Sequence, residues 1–346
     1  MGIGTLTLLT SSVALVLAGL IGWFAPAIGG ALGLFDFPDT NGGRKRHAKI
    51  TPLVGGTAVA LSALAACALT ASLLPLGPWV VQHIGWLALA LGVMYLIGLA
   101  DDRFALGPVI RLVLAIGTLL LVLVFAPDYT LGFLRFSGQA TVLPLGGWGD
   151  AFALLCLVGL LNAVNMADGK NGIILSLGLI WSLVLAMRLP ESYLPLLGAV
   201  TVSMTVMLVF NLRGRLFMGD GGSYVLSTLF GLLAIYAYNQ DFAVMRADDV
   251  AVMFAIPVFD TIRLMAVRAS RGRSPFEGDR DHLHHYLHLR YGWPTGLIVY
   301  VALVAIPNLG AVLMPDTGLI WLGISGLAYV TTLRIARQRS LPTAST

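Results

Sequence analysis

Ile84-Gly-Trp-Leu-Ala-Leu-Ala-Leu-Gly-Val-Met-Tyr-Leu-Ile-Gly-Leu-Ala-Asp101-Asp102-Arg103 decides how this chain is read. Residues 84–100 form an apolar run of membrane-spanning length, about 17 residues, and the run ends on two adjacent carboxylates. A helix C-terminus already carries partial negative charge, so a carboxylate pair there is electrostatically unfavourable. A solvated loop tolerates the pair at small cost. A cation held between the two removes the conflict, and Mg²⁺ favours carboxylate oxygens together with substrate phosphates.

The rest of the chain repeats this arrangement of apolar runs broken by short polar gaps. Hydrophobic residues make up 58% and charged residues 11% of the 346, and the mean hydropathy is +0.87. That balance excludes an ordinary soluble domain. The predicted fold is all-α, a single polytopic membrane helix bundle spanning 1–346. Its crossings, about eleven by length, fall at roughly 3–25, 53–74, 84–100, 108–126, 150–166, 172–189, 194–210, 222–238, 250–267, 295–313 and 317–335. No Lys or Arg precedes Arg44, so the first run is expected to stay as a helix and not to be cleaved as a signal. Cys67 and Cys156 lie inside apolar runs and imply neither a disulfide nor a zinc framework.

Basic residues set the orientation, because Lys and Arg stay on the cytoplasmic side near helix ends. With the N-terminus outside, all of the 21 Lys and Arg except Arg135, Arg188 and Arg246 fall inside. The formal net charge of +4 then reads as topology plus anionic ligands, with no nucleic-acid partner. The cytoplasmic loops are expected at about 36–52, 101–107, 167–171, 211–221 and 268–293, and the reactive-looking residues collect in them.

In the first loop Arg44, Lys45, Arg46, His47 and Lys49 precede Pro52 and Gly55-Gly56. Taken alone the basic residues are a membrane anchor; His47 and the glycines add a modest case for a phosphate-facing loop. Asn162, Asn165, Asp168, Gly169, Lys170 and Asn171 join two helices across a short turn. Asp168 or Asn171 would serve as an N-cap, but the two Asn amides at the membrane end of a helix need partners and suggest a polar cleft. Phe217 and Gly219-Asp220-Gly221-Gly222-Ser223 open the eighth helix with free N–H groups suited to a phosphate or metal-bound diphosphate. Asp260 and Arg263 follow Pro257 inside the ninth run, as a cleft pair or a structural ion pair. In the last loop Asp279-Arg280 precedes His282, His284 and His285, half of the six histidines in the chain. A loop presenting them to an anion or leaving group is expected, with metal ligation as the competing reading.

This set resembles the polyprenyl-phosphate N-acetylhexosamine-1-phosphate transferases. The family includes the bacterial enzymes that begin O-antigen, enterobacterial common antigen and teichoic acid synthesis and the phospho-muramoyl-pentapeptide translocase of peptidoglycan synthesis. The resemblance covers nearly the whole chain. Arg44-Lys45-Arg46-His47 and Ser274-Pro275-Phe276 before Asp279-Arg280 and the histidines point to the N-acetylglucosamine-phosphate branch.

The resemblance implies transfer of a sugar 1-phosphate from a UDP-N-acetylhexosamine to undecaprenyl phosphate in the bacterial inner membrane, with release of UMP. It implies Mg²⁺, with Mn²⁺ as a substitute, at Asp220 and Asp102. Asp101, Asp102 and Asp168 would be catalytic together with His282, His284 and His285. Arg44, Lys45, His47, Asn162, Asn165, Asn171, Phe217, Asp279 and Arg280 would bind substrate, Phe217 stacking on uracil. Homodimer formation stays open. Two positions depart from the family pattern: Asn171 stands where an Asp is common, and Gly278 where a Pro is frequent.

Two other classes share some of these features. A secondary transporter of an anionic solute would carry polar groups at mid-depth and paired repeats, and neither is evident. A CDP-alcohol phosphotransferase would follow Asp168-Gly169 with Ala-Arg two residues on, and this chain does not. The other UDP-sugars that fit the same chemistry carry fucosamine, quinovosamine or muramoyl-pentapeptide groups.

Overall fold

The computed structural model of the chain describes residues 1–38, 49–241, 244–274 and 280–338. Thirteen helices are described: α1 (Ile3–Trp23), α2 (Ala25–Leu32), α3 (Gly55–Leu73), α4 (Pro78–Phe104), α5 (Pro108–Phe125), α6 (Gly149–Ala167), α7 (Ile173–Ala186), α8 (Leu194–Leu212), α9 (Gly219–Gln240), α10 (Ala247–Ser270), α11 (Leu283–Tyr291), α12 (Thr295–Leu313) and α13 (Gly318–Gln338). Two short antiparallel pairs accompany them, β1 (Phe35–Asp36) with β2 (Thr51–Pro52) and β3 (Phe133–Arg135) with β4 (Val142–Pro144).

Among the described residues ten helices are long and apolar enough to cross a membrane. The eleventh expected crossing, 172–189, is α7, a helix of 14 residues. Gly172, at φ 90, turns the chain into its start at Ile173, and it ends at Ala186, ahead of Arg188. The bundle is polytopic and all-α, as its composition requires.

α9 is the axis of the bundle, buried along its length and flanked by α3, α4, α6, α7 and α10. The outward faces of α1, α5 and α13 instead expose Leu8, Leu15, Val113, Val124 and Leu327. Such inverted exposure suits a chain surrounded by lipid, where backbone groups pair within each helix and side chains meet hydrocarbon. Cys67 is buried, whereas Cys156 lies on the exposed surface.

α1 fixes which end is which. Thr10 donates its hydroxyl to the Pro195 carbonyl at 2.8 Å, beside the start of α8, and Gly22 packs against the Phe210 ring near the end of α8. The two helices therefore run parallel, with the N-terminus of the chain at the far end from Asn211. The β3–β4 hairpin also sits at that far end, held by the Tyr238 hydroxyl and by the Ser137 N–H on Asp248.

Two local features depart from the sequence reading. α4 continues through Asp101 and Asp102 to Phe104 and stops only where Ala105 turns left-handed at φ 49, so the carboxylate pair stands in the last helical turn and not in a loop. The histidines, expected in a loop, start α11: His282 is its N-cap and His284 and His285 fill its first turn. Arg44, Lys45, His47 and Asp279 lie outside the described residues.

Glycines let the inner helices touch backbone to backbone. A Cβ on Gly98 of α4 would stand 2.5 Å from the Gly221 Cα, and one on Gly56 of α3 would stand 2.2 Å from the Gly222 nitrogen. Pro257 of α10 costs a hydrogen bond to the Met253 carbonyl, and the Trp181 indole N–H takes that carbonyl at 2.7 Å. Gly98→Ala is expected to lower stability by about 1–3 kcal/mol through overpacking. Gly85→Ala, on the same helix with nothing within 4 Å of the new methyl, should leave it unchanged or slightly raised. Thermal unfolding of the two variants in detergent measures the difference.

Candidate active site

The ends of α4, α6, α8 and α10 and the starts of α5, α9 and α11 meet around one cavity of about 1310 Å³. Asp101, Asp102, Asp168 and Asp220 all line it, and so do His282, His284 and His285. Asn162, Asn165, Asn171, Phe217 and Arg280 line it as well.

The four aspartates take different local duties. Asp102 accepts the backbone N–H of Asp220 at 2.9 Å and of Gly221 at 3.1 Å, one on each oxygen. It thereby caps the N-terminus of α9 from another helix, satisfying donors that no residue of α9 itself covers. Gly219, at φ 71, leaves room for this carboxylate, since a Cβ there would sit 2.5 Å from its oxygen.

Asp101, 6% exposed, pairs with the Arg111 guanidinium at 2.5 Å. The same guanidinium nitrogen lies 3.7 Å from Asp220, and the Asp101 and Asp220 carboxyls are side-chain neighbours. Asn165 donates its amide to the other Asp220 oxygen at 2.5 Å. Asp168, at the end of α6, accepts the Ser223 hydroxyl at 3.4 Å. Although half-buried, its carboxyl is pushed well above the usual carboxylate range by desolvation, with Asp102 adding to the effect.

The loops are tied to one another by side chains that the sequence left without a role. Asn211 accepts the Gly172 N–H at 2.6 Å and donates to the Leu216 carbonyl at 3.0 Å. It thus links the 168–172 turn to the loop before α9. That loop is stitched to β2 and α3, with the Phe217 N–H on the Pro52 carbonyl and the Gly55 and Gly56 N–H groups on the Phe217 and Met218 carbonyls. Asn162 turns its amide back onto the Val158 carbonyl of its own helix at 2.8 Å, and the Asn171 carbonyl accepts the Trp293 indole.

Arg111 is the residue the sequence reading passed over, as a mere topological charge. A lone cation four residues into an apolar run was the available signal, since ionised groups inside such runs need a partner. Lys170 and Arg268 also line the cavity. Desolvation and the nearby Arg280 lower the Lys170 ammonium from its ordinary value.

The histidines divide in the same way. His282 places Nδ1 3.1 Å from Asp260. His284 is buried, its Nε2 has no hydrogen-bond partner among the described residues, and it lies against Gly169, where a Cβ would come within 2.3 Å. Burial, then the neighbouring His285 and His282, hold the His284 imidazole well below its ordinary value, so it is neutral at neutral pH. The site thus joins carboxylates at the mouth of α9 to cations and a neutral imidazole across the cavity. Such a set suits binding and neutralising phosphate groups.

Residues 84–238, from within α4 to the end of α9, match the model of glycosyl transferase family 4. The chain is also 28% identical over 285 residues to an Escherichia coli K12 protein, undecaprenyl-phosphate alpha-N-acetylglucosaminyl 1-phosphate transferase, covering 79% of this chain and 74% of that one. The Yersinia pestis protein of the same name is 29% identical over 280 residues, covering 76% and 72%. A Bacillus subtilis protein, described as a probable undecaprenyl-phosphate N-acetylglucosaminyl 1-phosphate transferase, is 23% identical over 262 residues, covering 74% and 70%. The family match spans the helices that carry Asp101, Asp102, Asp168 and Asp220, and the similarity to the relatives extends over most of the remainder of the chain.

Proposed function

We propose that this protein transfers N-acetylglucosamine 1-phosphate from UDP-N-acetylglucosamine to undecaprenyl phosphate in the bacterial cytoplasmic membrane, with the cavity facing the cytoplasm. The observation that carries the reading is the convergence of four aspartates and three histidines from separate helix ends on one cavity. The names of the relatives from Escherichia coli and Bacillus subtilis support it, and the excess of basic residues at the cavity end supports the cytoplasmic side.

In this reaction an oxygen of the lipid phosphate attacks the phosphorus that bears the sugar. The new P–O bond forms as the bond to the UMP oxygen breaks, and UMP leaves with the electron pair. Two anions must meet, so the protein's first task is neutralisation. Arg280, Arg268, Lys170 and Arg111 supply cationic groups around the cavity. A phosphate monoester has a second pKa near about 6, so much of the acceptor is already dianionic at neutral pH. Asp101, fixed by Arg111, then orients the acceptor and needs to remove no proton from it. Phe217, which lines the same cavity, offers a ring to the uracil.

The donors fit a divalent cation. Asp101 and Asp220 present hard oxygen ligands side by side, and among the described residues no three His, Cys, Asp or Glu form a closed cage. Mg²⁺ takes one or two carboxylates and leaves its other positions to water and substrate phosphate. We assign it to Asp220 and Asp101 in place of Asp220 and Asp102, because Asp102 has both oxygens on backbone N–H groups. When bound, Mg²⁺ or Mn²⁺ would neutralise the diphosphate and polarise the bond to the leaving group.

Purified protein with undecaprenyl phosphate and a panel of UDP-sugars is expected to release UMP with UDP-N-acetylglucosamine, and chelation with EDTA should stop it. A different preferred sugar would reassign the donor, and silence across the panel would overturn the reading. Asp101→Asn is expected to slow UMP release by about 10²-fold or more while UDP-sugar binding, followed by calorimetry, persists. Near-normal turnover of that variant would refute its role.

His284 gives the protein an acid limit. The folded state keeps it neutral, while the unfolded chain takes up a proton below about 6.5, so its contribution to stability is complete above that pH. As pH falls from there toward the lowered folded value the contribution is lost. Unfolding temperatures between pH 8 and pH 5 should fall more steeply for the wild type than for His284→Gln.

A further inference from the structure

Asp260 is not among the residues that line the cavity, yet four polar groups converge on it. It stands in α10 one turn beyond Pro257 and is 4% exposed. Arg263 and the Tyr329 hydroxyl each donate to its Oδ1 at 2.8 Å. The Leu283 N–H, in the first turn of α11, reaches it at 3.2 Å, and His282 Nδ1 faces its Oδ2 at 3.1 Å. Arg263 also donates to Tyr329 at 2.7 Å and to the Asp281 carbonyl, so α10, α11 and α13 are locked together at this carboxylate.

A carboxylate only accepts hydrogen bonds. Three donors fix its orientation, and the fourth group to face it must therefore bring a proton. In the neutral imidazole one ring nitrogen carries the proton and the other accepts. With Nδ1–H directed at Asp260, the free lone pair belongs to Nε2. His282 is 5% exposed and lines the cavity, and its ring is stacked on His284 with centroids 5.3 Å apart, so it has little freedom to turn over.

We propose that Asp260 is a positioning residue. By holding the Nδ1–H of His282 it presents an unprotonated Nε2 to the cavity, where that nitrogen accepts a hydrogen bond from a hydroxyl or amide N–H of the sugar nucleotide. This rests on the transferase reading for the substrate, but the tautomer itself does not. Asp260→Asn preserves shape and the acceptor for Tyr329 and Arg263, yet it can turn an N–H₂ toward His282. Nδ1 then becomes the acceptor and the proton moves to Nε2.

The experiment has two arms. In ¹⁵N-histidine spectra of the full-length protein at pH 8, with His282→Gln used to identify the signal, the wild type is expected to show the Nδ1–H tautomer at His282 and Asp260→Asn the Nε2–H tautomer. An Nε2–H tautomer in the wild type overturns the proposal whatever the substrate. In steady-state UMP release, Asp260→Asn is expected to raise the KM for the UDP-sugar about 10- to 100-fold and to leave the KM for undecaprenyl phosphate unchanged. In a His282→Gln background the same substitution should add nothing further. Equal changes for both substrates, or a full additional loss in that background, would show Asp260 to be structural only and overturn the proposal. An inactive wild type with the expected tautomer would overturn the transferase reading and the sugar contact while leaving the Asp260–His282 assignment standing.

Discussion

Everything at the cavity depends on how the N-terminus of α9 is held. A helix start leaves backbone N–H groups unpaired, and those of the central helix open onto the cavity. Asp102, arriving from the last turn of α4, takes two of them. It can reach them because Gly98 and Gly56 let α4 and α3 approach the Gly221-Gly222 backbone closely. The adjacency of Asp101 and Asp102 follows the same geometry: one carboxylate anchors the central helix and its neighbour is carried into the cavity beside Asp220.

That arrangement concentrates negative charge, and the fold answers with positive charge from a neighbouring element. Arg111, at the start of α5, bridges Asp101 and Asp220. Like charges this close are tolerated only where a cation or a proton relieves them. Across the cavity the logic reverses: Asp260 is surrounded by donors, and it anchors α11 with its histidines as Asp102 anchors α9. Each wall of the cavity thus hangs on one carboxylate from a different helix.

Much of this was legible in the chain. The apolar runs located the crossings, because hydrocarbon demands length and apolarity in every spanning helix. The exceptions had local causes. The run at 172–189 became the short α7 because Gly172 turns the chain and the helix stops ahead of Arg188. α4 outran its apolar stretch because nothing in Asp101-Asp102-Arg103 breaks a helix and the left-handed Ala105 ends it later. The histidines formed a helix start and not a loop, since Asp260 supplies the capping acceptor from 23 residues away. Arg111 and Asn211 were visible as polar residues in apolar surroundings, but their partners, 10 and 109 residues distant for Arg111 and 39 for Asn211, were not.

The sequence by itself determined that this is a polytopic helical membrane protein with its chemistry gathered at one end. Hydrophobic length and the sidedness of Lys and Arg are properties of the chain read in order, and the bilayer acts on them directly. Only the tertiary structure decided which aspartate holds a helix, which faces the cavity beside a second carboxylate, and which histidine nitrogen is bound. Those choices depend on hydrogen-bond distances between helices far apart in sequence, and a carboxylate has no role until its donors are in place.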